Sequence, residues 1–301
     1  MLTRRELLQC LAALGLASRW PLGAQAKTVS QRLRTIPSSG ETIPAVGLGT
    51  SRTFDVGGDA FEREPIKAVL GEFVKQGGTL VDSSPMYGSA ETVIGDLASE
   101  LNVQKSLFYA TKVWTTGREE GIAQMEQSMQ RMRTKTIDLM QVHNLVDTET
   151  HLKTLYQWKE QGRVRYIGIT HYLVNYFDDL ERVMRKHRLD FVQLPYSIVT
   201  REAEQRLLPL ARDKGIAILV NRPYEKGALF RKTRGKPLPA WAAEFDCHSW
   251  GQFYLKFILA HPAITCVIPA TSKLKHLVDN MGAGLGRLPD QRQRQKMAEL
   301  I

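Results

Sequence analysis

The sequence is poor in cysteine. Of three in 301 residues, Cys10 falls in an N-terminal leader. That leaves Cys247 and Cys266, one disulfide at most, and excludes a disulfide-built scaffold. Cys266 lies in the strand pattern Thr265-Cys266-Val267-Ile268 and is expected as a small buried apolar residue. Long apolar runs are also missing: the stretch Leu7–Ala17 is too short to span a bilayer and contains Gln9. Gly47-Leu48-Gly49 stops short of a Gly-rich phosphate turn, which argues against a doubly wound sheet. No His, Cys or carboxylate cluster has metal-ligand spacing, so no metal is expected. Neither a basic helix nor an aromatic-basic module stands out, so nucleic acid is not an expected partner. No linker or low-complexity segment divides the chain.

What is present is ordinary globular composition, 43% apolar and 24% charged, with a formal charge of +10. Part of the excess, Arg4, Arg5 and Arg19 against Glu6, sits in the leader. The remaining basic balance suits an anionic ligand such as a phosphorylated cofactor. Thr3-Arg4-Arg5-Glu6-Leu7-Leu8 is a twin-arginine pattern, and Ala24-Gln25-Ala26 is a small-x-small cleavage site before Lys27. A lipoprotein site at Cys10 fails, because no apolar stretch precedes it. The expectation is a twin-arginine signal peptide over 1–26, recognised by the corresponding export machinery. The mature domain, 27–301, would then be periplasmic, with no membrane insertion after cleavage.

After the leader, Leu33 to Ile43 reads as a hairpin around Ser38-Ser39-Gly40. Apolar strand cores then recur at 45–49, 79–82, 107–112, 137–142, 165–169, 191–194, 216–220 and 265–268. Helical patterns separate them at 65–76, 89–101, 117–132, 149–160, 173–187, 202–213 and 248–260, and another spans 273–283. The tail 286–301 is short and polar. Eight nearly unbroken apolar strands alternating with helices predict an α/β fold, a single-domain (β/α)8 TIM barrel preceded by the hairpin.

In that fold the chemistry sits on loops after the strand C-terminal ends. Strand two ends in Asp82 and leads to Tyr87; strand three ends in Lys112, followed by Trp114; strand four ends in His143. Four ionisable side chains would thus converge at one barrel mouth. A phenol is a suitable proton donor to a carbonyl oxygen that gains charge. A cationic Lys112 beside Tyr87 is expected to lower the phenol's pKa toward neutral. Asp82 would hold Lys112 charged, and His143 would orient the carbonyl.

These motifs resemble those of the aldo-keto reductases: Gly47-Leu48-Gly49-Thr50, Asp82 to Gly88 with Glu91, Thr111-Lys112-Val113-Trp114 and Gln141-Val142-His143. The likeness continues at Gln193-Leu194-Pro195-Tyr196-Ser197 and from Ile268-Pro269 to Asn280, covering about residues 33–285. The resemblance implies reduction of an aldehyde or ketone by hydride transfer from NAD(P)H, with Tyr87 as proton donor and NADP(H) favoured over NAD(H). It implies cofactor contacts at Gly49, Thr50, Thr170, His171, Gln193, Asn221, Arg222, Thr271, Ser272, Lys273, His276, Asp279 and Asn280. Several of these depart from the family pattern. Thr170-His171 stands where Ser-Asn is common, Asn221-Arg222-Pro223-Tyr224 where a nicotinamide-stacking aromatic is, Ala270 where a phosphate-binding Lys is, and His276 where an Arg is. Arg222, Lys273 and the basic residues Lys226, Arg231, Lys232, Arg234 and Lys236 of the 221–247 insertion could supply positive charge to phosphates. Trp114 and Tyr172, with Met86 and Phe54, are candidate substrate-pocket residues. The short tail would leave the site open to a broad range of small-molecule carbonyl substrates.

Two other readings stay open on the residues alone. One is a nicotinamide-binding sensor or partner protein on the same fold with little turnover. The other is a Schiff-base aldolase using Lys112.

Overall fold

The computed structural model describes residues 30–301. The twin-arginine pattern, the cleavage site and Cys10 lie outside the described residues. The chain opens with an antiparallel pair, β1 (Leu33–Thr35) and β2 (Thr42–Pro44). Eight parallel strands follow: β3 (Leu48–Gly49), β4 (Leu80–Asp82), β5 (Phe108–Val113), β6 (Ile137–His143), β7 (Val164–Thr170), β8 (Phe191–Pro195), β9 (Ala217–Asn221) and β10 (Cys266–Val267). They pair in sequence order from β3 to β10. Val46 and Gly49 then bridge to Val267 and Ala270, joining the two edges of the sheet. The outcome is the barrel that the alternating strand and helix patterns predict, its eight-stranded sheet closed on itself.

Glycine makes that seam possible. A Cβ on Gly49 would lie 2.7 Å from the Ile268 carbonyl oxygen, and one on Gly47 would lie 2.9 Å from that of Leu80. Backbone therefore approaches where a side chain would stand.

The helices cover the outside: α1 (Ala60–Lys75), α2 (Ala90–Glu100), α3 (Arg118–Arg131), α4 (Thr148–Glu160), α5 (Phe177–Lys186), α6 (Leu207–Lys214), α7 (Ala228–Lys232), α8 (Trp250–Leu259), α9 (Leu274–Gly282) and α10 (Gln291–Leu300). Among the described residues no helix is long and apolar enough to cross a membrane. α1 and α10 differ from expectation, as does α7, which lies in the 221–247 insertion outside the helical patterns of the sequence. α1 starts before position 65, because Asp59 accepts the amides of Phe61 and Glu62; Pro65 falls in its second turn. The polar tail is not structureless but forms α10, started by a capping box between Asp290 and Gln293. Met297 is its one fully buried side chain, and Arg294 ties it to Glu204, to the Tyr196 hydroxyl and to the Phe257 carbonyl.

Alternation with a period of two sorts each strand into inward and outward residues. The lower barrel interior is apolar: Leu80, Phe108, Leu139, Tyr166, Phe191 and Ala217 form one buried cluster. Ile36 and Ile43 of the hairpin join it from below, each contributing about 1.5–3 kcal/mol by burial. Two or four residues further along the same strands the inward positions turn polar. Asp82, Lys112, Gln141, His143, Thr170 and Gln193 are all buried there. A single step in the sequence pattern thus separates a packed floor from a polar upper layer. Cys247 and Cys266 are free and buried, Cys266 within the interior cluster, as its strand pattern suggests.

Candidate active site

Four side chains from three consecutive strands meet in that upper layer. The Lys112 ammonium donates to Asp82 Oδ2 at 2.7 Å and to the Ser83 carbonyl at 2.5 Å. The same Nζ lies 5.1 Å from the centre of the Tyr87 ring, and the Tyr87 and His143 rings meet edge-on, centroids 6.1 Å apart. The sequence expectation that Asp82, Tyr87, Lys112 and His143 gather at the barrel mouth describes this geometry.

Local structure explains why Tyr87 faces inward. β4 ends at Asp82, and the Tyr87 amide bonds back to the Ser84 carbonyl at 3.0 Å, closing a turn. Gly88 follows with φ of 58°, in the left-handed region that favours glycine. Asp55 then accepts both the amide and the hydroxyl of Ser89, at 2.8 and 2.9 Å. Behind β5, fully buried Glu91 accepts from Thr111 at 2.6 Å, tying α2 to the strand that bears Lys112. Burial raises the pKa of Glu91 against that hydrogen bond.

Electrostatics correct one expectation. Burial raises the Tyr87 phenol above its ordinary value; nearby Lys112 opposes the rise but does not overcome it, and Asp82 adds to it. The reason is that the Lys112 charge is largely compensated by the carboxylate that holds it, while desolvation of the phenolate is not. Tyr87 therefore keeps its proton at neutral pH. Burial alone would lower the Lys112 pKa, but Asp82 and Tyr87 together raise it. A fully buried amine whose pKa is raised is unsuited to a Schiff base, which needs a neutral, accessible one. Burial, then Lys112 and His171, hold the His143 pKa down to about 2, so its imidazole is neutral.

Ser84 was not singled out from the sequence, where Ser83-Ser84-Pro85 reads only as a strand stop. Its Oγ lies 3.1 Å from His143 Nδ1 and accepts the Met86 amide at 3.4 Å. With the Ser84 hydroxyl donating to Nδ1, the His143 proton would sit on Nε2. Gln141 belongs to a recognised motif but had no assigned part; its amide donates to Asp82 Oδ1 at 3.1 Å.

The expected cofactor residues divide into groups. Thr50 Oγ1 donates to the Asp82 carbonyl at 2.9 Å and lies 3.0 Å from the Ser83 hydroxyl, so it braces the β4 end, and Gly49 lies in the barrel seam. Gln193 is saturated: its Nε2 donates to Asp82 Oδ1 at 2.9 Å, and its Oε1 accepts from Thr170 at 3.2 Å and from Asn221 at 3.4 Å. Asn221 Oδ1 is buried and has no partner. His171 stacks between Tyr172 and Tyr176, with centroids 5.5 and 3.8 Å away. Arg222 reaches the Tyr172 carbonyl at 2.9 Å.

The residues after β10 lie on a separate part of the rim. Thr271 accepts the Lys273 amide at 3.1 Å where α9 begins; Ser272 lies between them, and His276 is in the first turn of α9. Asp279 has both oxygens engaged, by Ser249 at 2.8 Å and by Gln252 at 3.1 Å, where it braces the start of α8. Asn280 accepts from the Tyr224 hydroxyl at 2.6 Å. None of this C-terminal group hydrogen-bonds to the four central side chains. Lys226, Arg231, Lys232, Arg234 and Lys236 are exposed.

Among the proposed pocket residues, Trp114 is 40% and Tyr172 41% exposed, and the Trp114 ring lies 6.4 Å from that of His143. Gln124 brackets the Trp114 backbone, accepting its amide at 2.6 Å and donating to its carbonyl at 3.2 Å. Met86 is also exposed. Phe54 is not a lining residue, since it is fully buried in the core around the barrel; its aromatic character served packing.

A profile described as the Aldo/keto reductase family matches residues 45–298. Aldo-keto reductase YhdN of Bacillus subtilis is 28% identical over 217 residues, 66% of this chain and 63% of that protein, so the chain spans just under two thirds of that relative. Methylglyoxal reductase YeaE of Escherichia coli is 26% identical over 255 residues, 82% of this chain and 88% of that protein. The thermostable aldo-keto reductase Tm1743, solved in complex with the inhibitor epalrestat, superposes with a TM-score of 0.74 at 25% identity, over 89% of this chain and 99% of that one. An aldo/keto reductase from Klebsiella pneumoniae in complex with NADP and acetate has the same fold, with a TM-score of 0.74 at 20% identity, over 89% of this chain and 95% of that one.

Proposed function

The chain belongs to the aldo/keto reductase family, and from that premise we propose that it reduces an aldehyde or ketone to the alcohol, with Tyr87 as the proton donor. The observation behind this reading is the Asp82–Lys112 pair, 2.7 Å apart, set beneath a phenol that holds its proton. A nicotinamide cofactor supplies the hydride when bound. Tyr87 then gives its proton to the carbonyl oxygen as that oxygen gains electron density, and Lys112 stabilises the phenolate left behind. The neutral His143 donates its Nε2–H to the same oxygen and orients it. Trp114 and Tyr172 flank the opening and would shape the carbonyl pocket.

The residues present fit the cofactor at one telling point. Asn221 Oδ1, a buried acceptor without a partner, suits the N–H of a carboxamide, beside Thr170 and His171. Gln193, although it has the family position, is already committed to Asp82. Arg222, Thr271, Ser272, Lys273 and His276 would hold the phosphates, and Asp279 with Asn280 would face the adenine side. We favour NADP(H) over NAD(H): the basic residues of the 221–247 insertion suit an additional phosphate, and the Klebsiella pneumoniae relative was solved with NADP.

The leader supports export by the twin-arginine machinery as a folded precursor, giving a mature 27–301 domain in the periplasm. The function is tested by NADPH oxidation with methylglyoxal and a panel of aromatic aldehydes. Turnover is expected with at least part of the panel. Tight NADPH binding with no turnover would favour the sensor reading instead.

A further inference from the structure

We propose that Gln141 is a positioning residue for proton transfer, holding Asp82 so that only one of its carboxylate oxygens meets Lys112. This rests on the reading of Tyr87 as proton donor. Gln141 pairs directly with Lys112 in the register of β5 and β6 and is fully buried, so it touches neither solvent nor a substrate entering at the mouth. Its Nε2 donates to Asp82 Oδ1 at 3.1 Å, while Lys112 takes Oδ2 at 2.7 Å. Its Oε1 accepts from Gln193 Nε2 at 3.3 Å. Gln193 itself donates to the same Asp82 oxygen at 2.9 Å.

Gln141 thus anchors Oδ1 twice, directly and by holding the second amide in place. The consequence lies in the geometry of the lysine. An ammonium has three protons, and two of them go to Asp82 and to the Ser83 carbonyl. The remaining direction is left for the side that Tyr87 occupies, 5.1 Å from Nζ to the ring centre. A carboxylate free to rotate would satisfy its second oxygen at the nearest cation. It would then bind Lys112 with both oxygens, pull Nζ toward β4 and compensate its charge more fully. The phenolate formed at Tyr87 would lose part of its stabilisation. Two neutral amides on Oδ1 prevent this by satisfying a buried acceptor without adding charge. Gln193 also bonds to Thr170 and Asn221, next to the unpartnered Asn221 Oδ1. Gln141 hydrogen-bonds only within the Asp82–Gln193 group, and so keeps its hold whatever occupies the Asn221 side.

The test is Gln141→Met, which keeps side-chain length and removes both hydrogen-bonding ends, read in two ways. In the crystal structure of the variant, the Asp82 carboxylate is expected to rotate and Lys112 to bind both of its oxygens. In NADPH-dependent reduction of 4-nitrobenzaldehyde, kcat is expected to fall about tenfold or more with a larger solvent deuterium isotope effect, while KM and the NADPH dissociation constant hold. Asp82 and Lys112 unmoved, or kcat unchanged, would overturn the proposal, as would a fall in kcat matched by the loss of NADPH affinity. Should the variant fail to fold, Gln141→Asn, which draws the amide back by one methylene, is read in the same two ways. A wild-type protein inert toward the aldehyde would sink the reductase reading and leave the crystallographic result to decide the part played by Gln141.

Discussion

Ser84 Oγ lies 3.1 Å from Nδ1 of His143, and a hydroxyl that donates there keeps the imidazole proton on Nε2. In that arrangement Ser84 accepts the Met86 amide, donates to Nδ1 and leaves Nε2–H for the substrate. Ser84→Ala should let the other tautomer form. The expected outcome is a fall of about tenfold in kcat/KM for aldehydes, with NADPH affinity unchanged. Steady-state kinetics and a fluorescence titration check both halves. An unchanged kcat/KM would mean that the tautomer is set by something other than Ser84.

Asn221 offers an acceptor that nothing among the described residues uses. If it reads the cofactor carboxamide, Asn221→Leu should raise the NADPH dissociation constant about two- to tenfold, the scale of one hydrogen bond. The aldehyde KM should change little. Undiminished NADPH affinity, measured by quenching of intrinsic fluorescence, would remove Asn221 from the cofactor site.

His143 makes stability depend on pH in a definite direction. Its folded pKa is about 2 against about 6.5 in an unfolded chain. Below about pH 6.5 the unfolded chain takes up a proton that the folded one refuses. This residue's contribution is therefore fully present above that pH and declines as pH falls, by at most about 1.4 kcal/mol per unit. Burial lowers the pKa of His171 and His261 as well, in the same sense. Urea midpoints at pH 7 and pH 5 should differ less in His143→Gln than in the wild type. An equal loss in both would contradict the assignment of a buried neutral imidazole.

The barrel and the four central residues were legible because both follow from periodicity. Apolar strands at regular spacing predict the barrel, and Asp82, Lys112 and His143 stand where three of those strands end. What was not legible depends on neighbours remote in sequence. The direction of the Tyr87 shift turns on how far burial outweighs a lysine already paired with Asp82, and no motif encodes that balance. Gln193 bears the family's cofactor signature, yet its amide is spent on Asp82, 111 positions away. Ser84 looks like any turn serine until the loop brings it to His143. α10 had a local signal, Asp290 three residues before Gln293, but only Met297 of its ten residues is buried, too few to mark a helical face. Phe54 failed in the opposite way: an aromatic near a strand end was read as pocket when it is core.

The leader makes a separate prediction. Arg4→Lys with Arg5→Lys should leave a folded precursor in the cytoplasm, whereas the wild-type chain should be recovered from the periplasm beginning at Lys27. Cell fractionation with N-terminal sequencing checks this. Export of the variant at the wild-type level would reject a twin-arginine route.

Tyr87 bears the central claim, that a half-buried phenol beside a Lys112–Asp82 pair delivers the proton during carbonyl reduction. The direct measurement is kcat for NADPH-dependent aldehyde reduction by Tyr87→Phe, alone and with Lys112→Met. The phenylalanine keeps the ring that shapes the pocket and removes the proton, so kcat should fall by at least ~10²-fold with NADPH affinity retained. The double variant should lose little more than the worse single one, since the pair acts as a unit. A Tyr87→Phe enzyme that turns over aldehydes at the wild-type rate would contradict the mechanism.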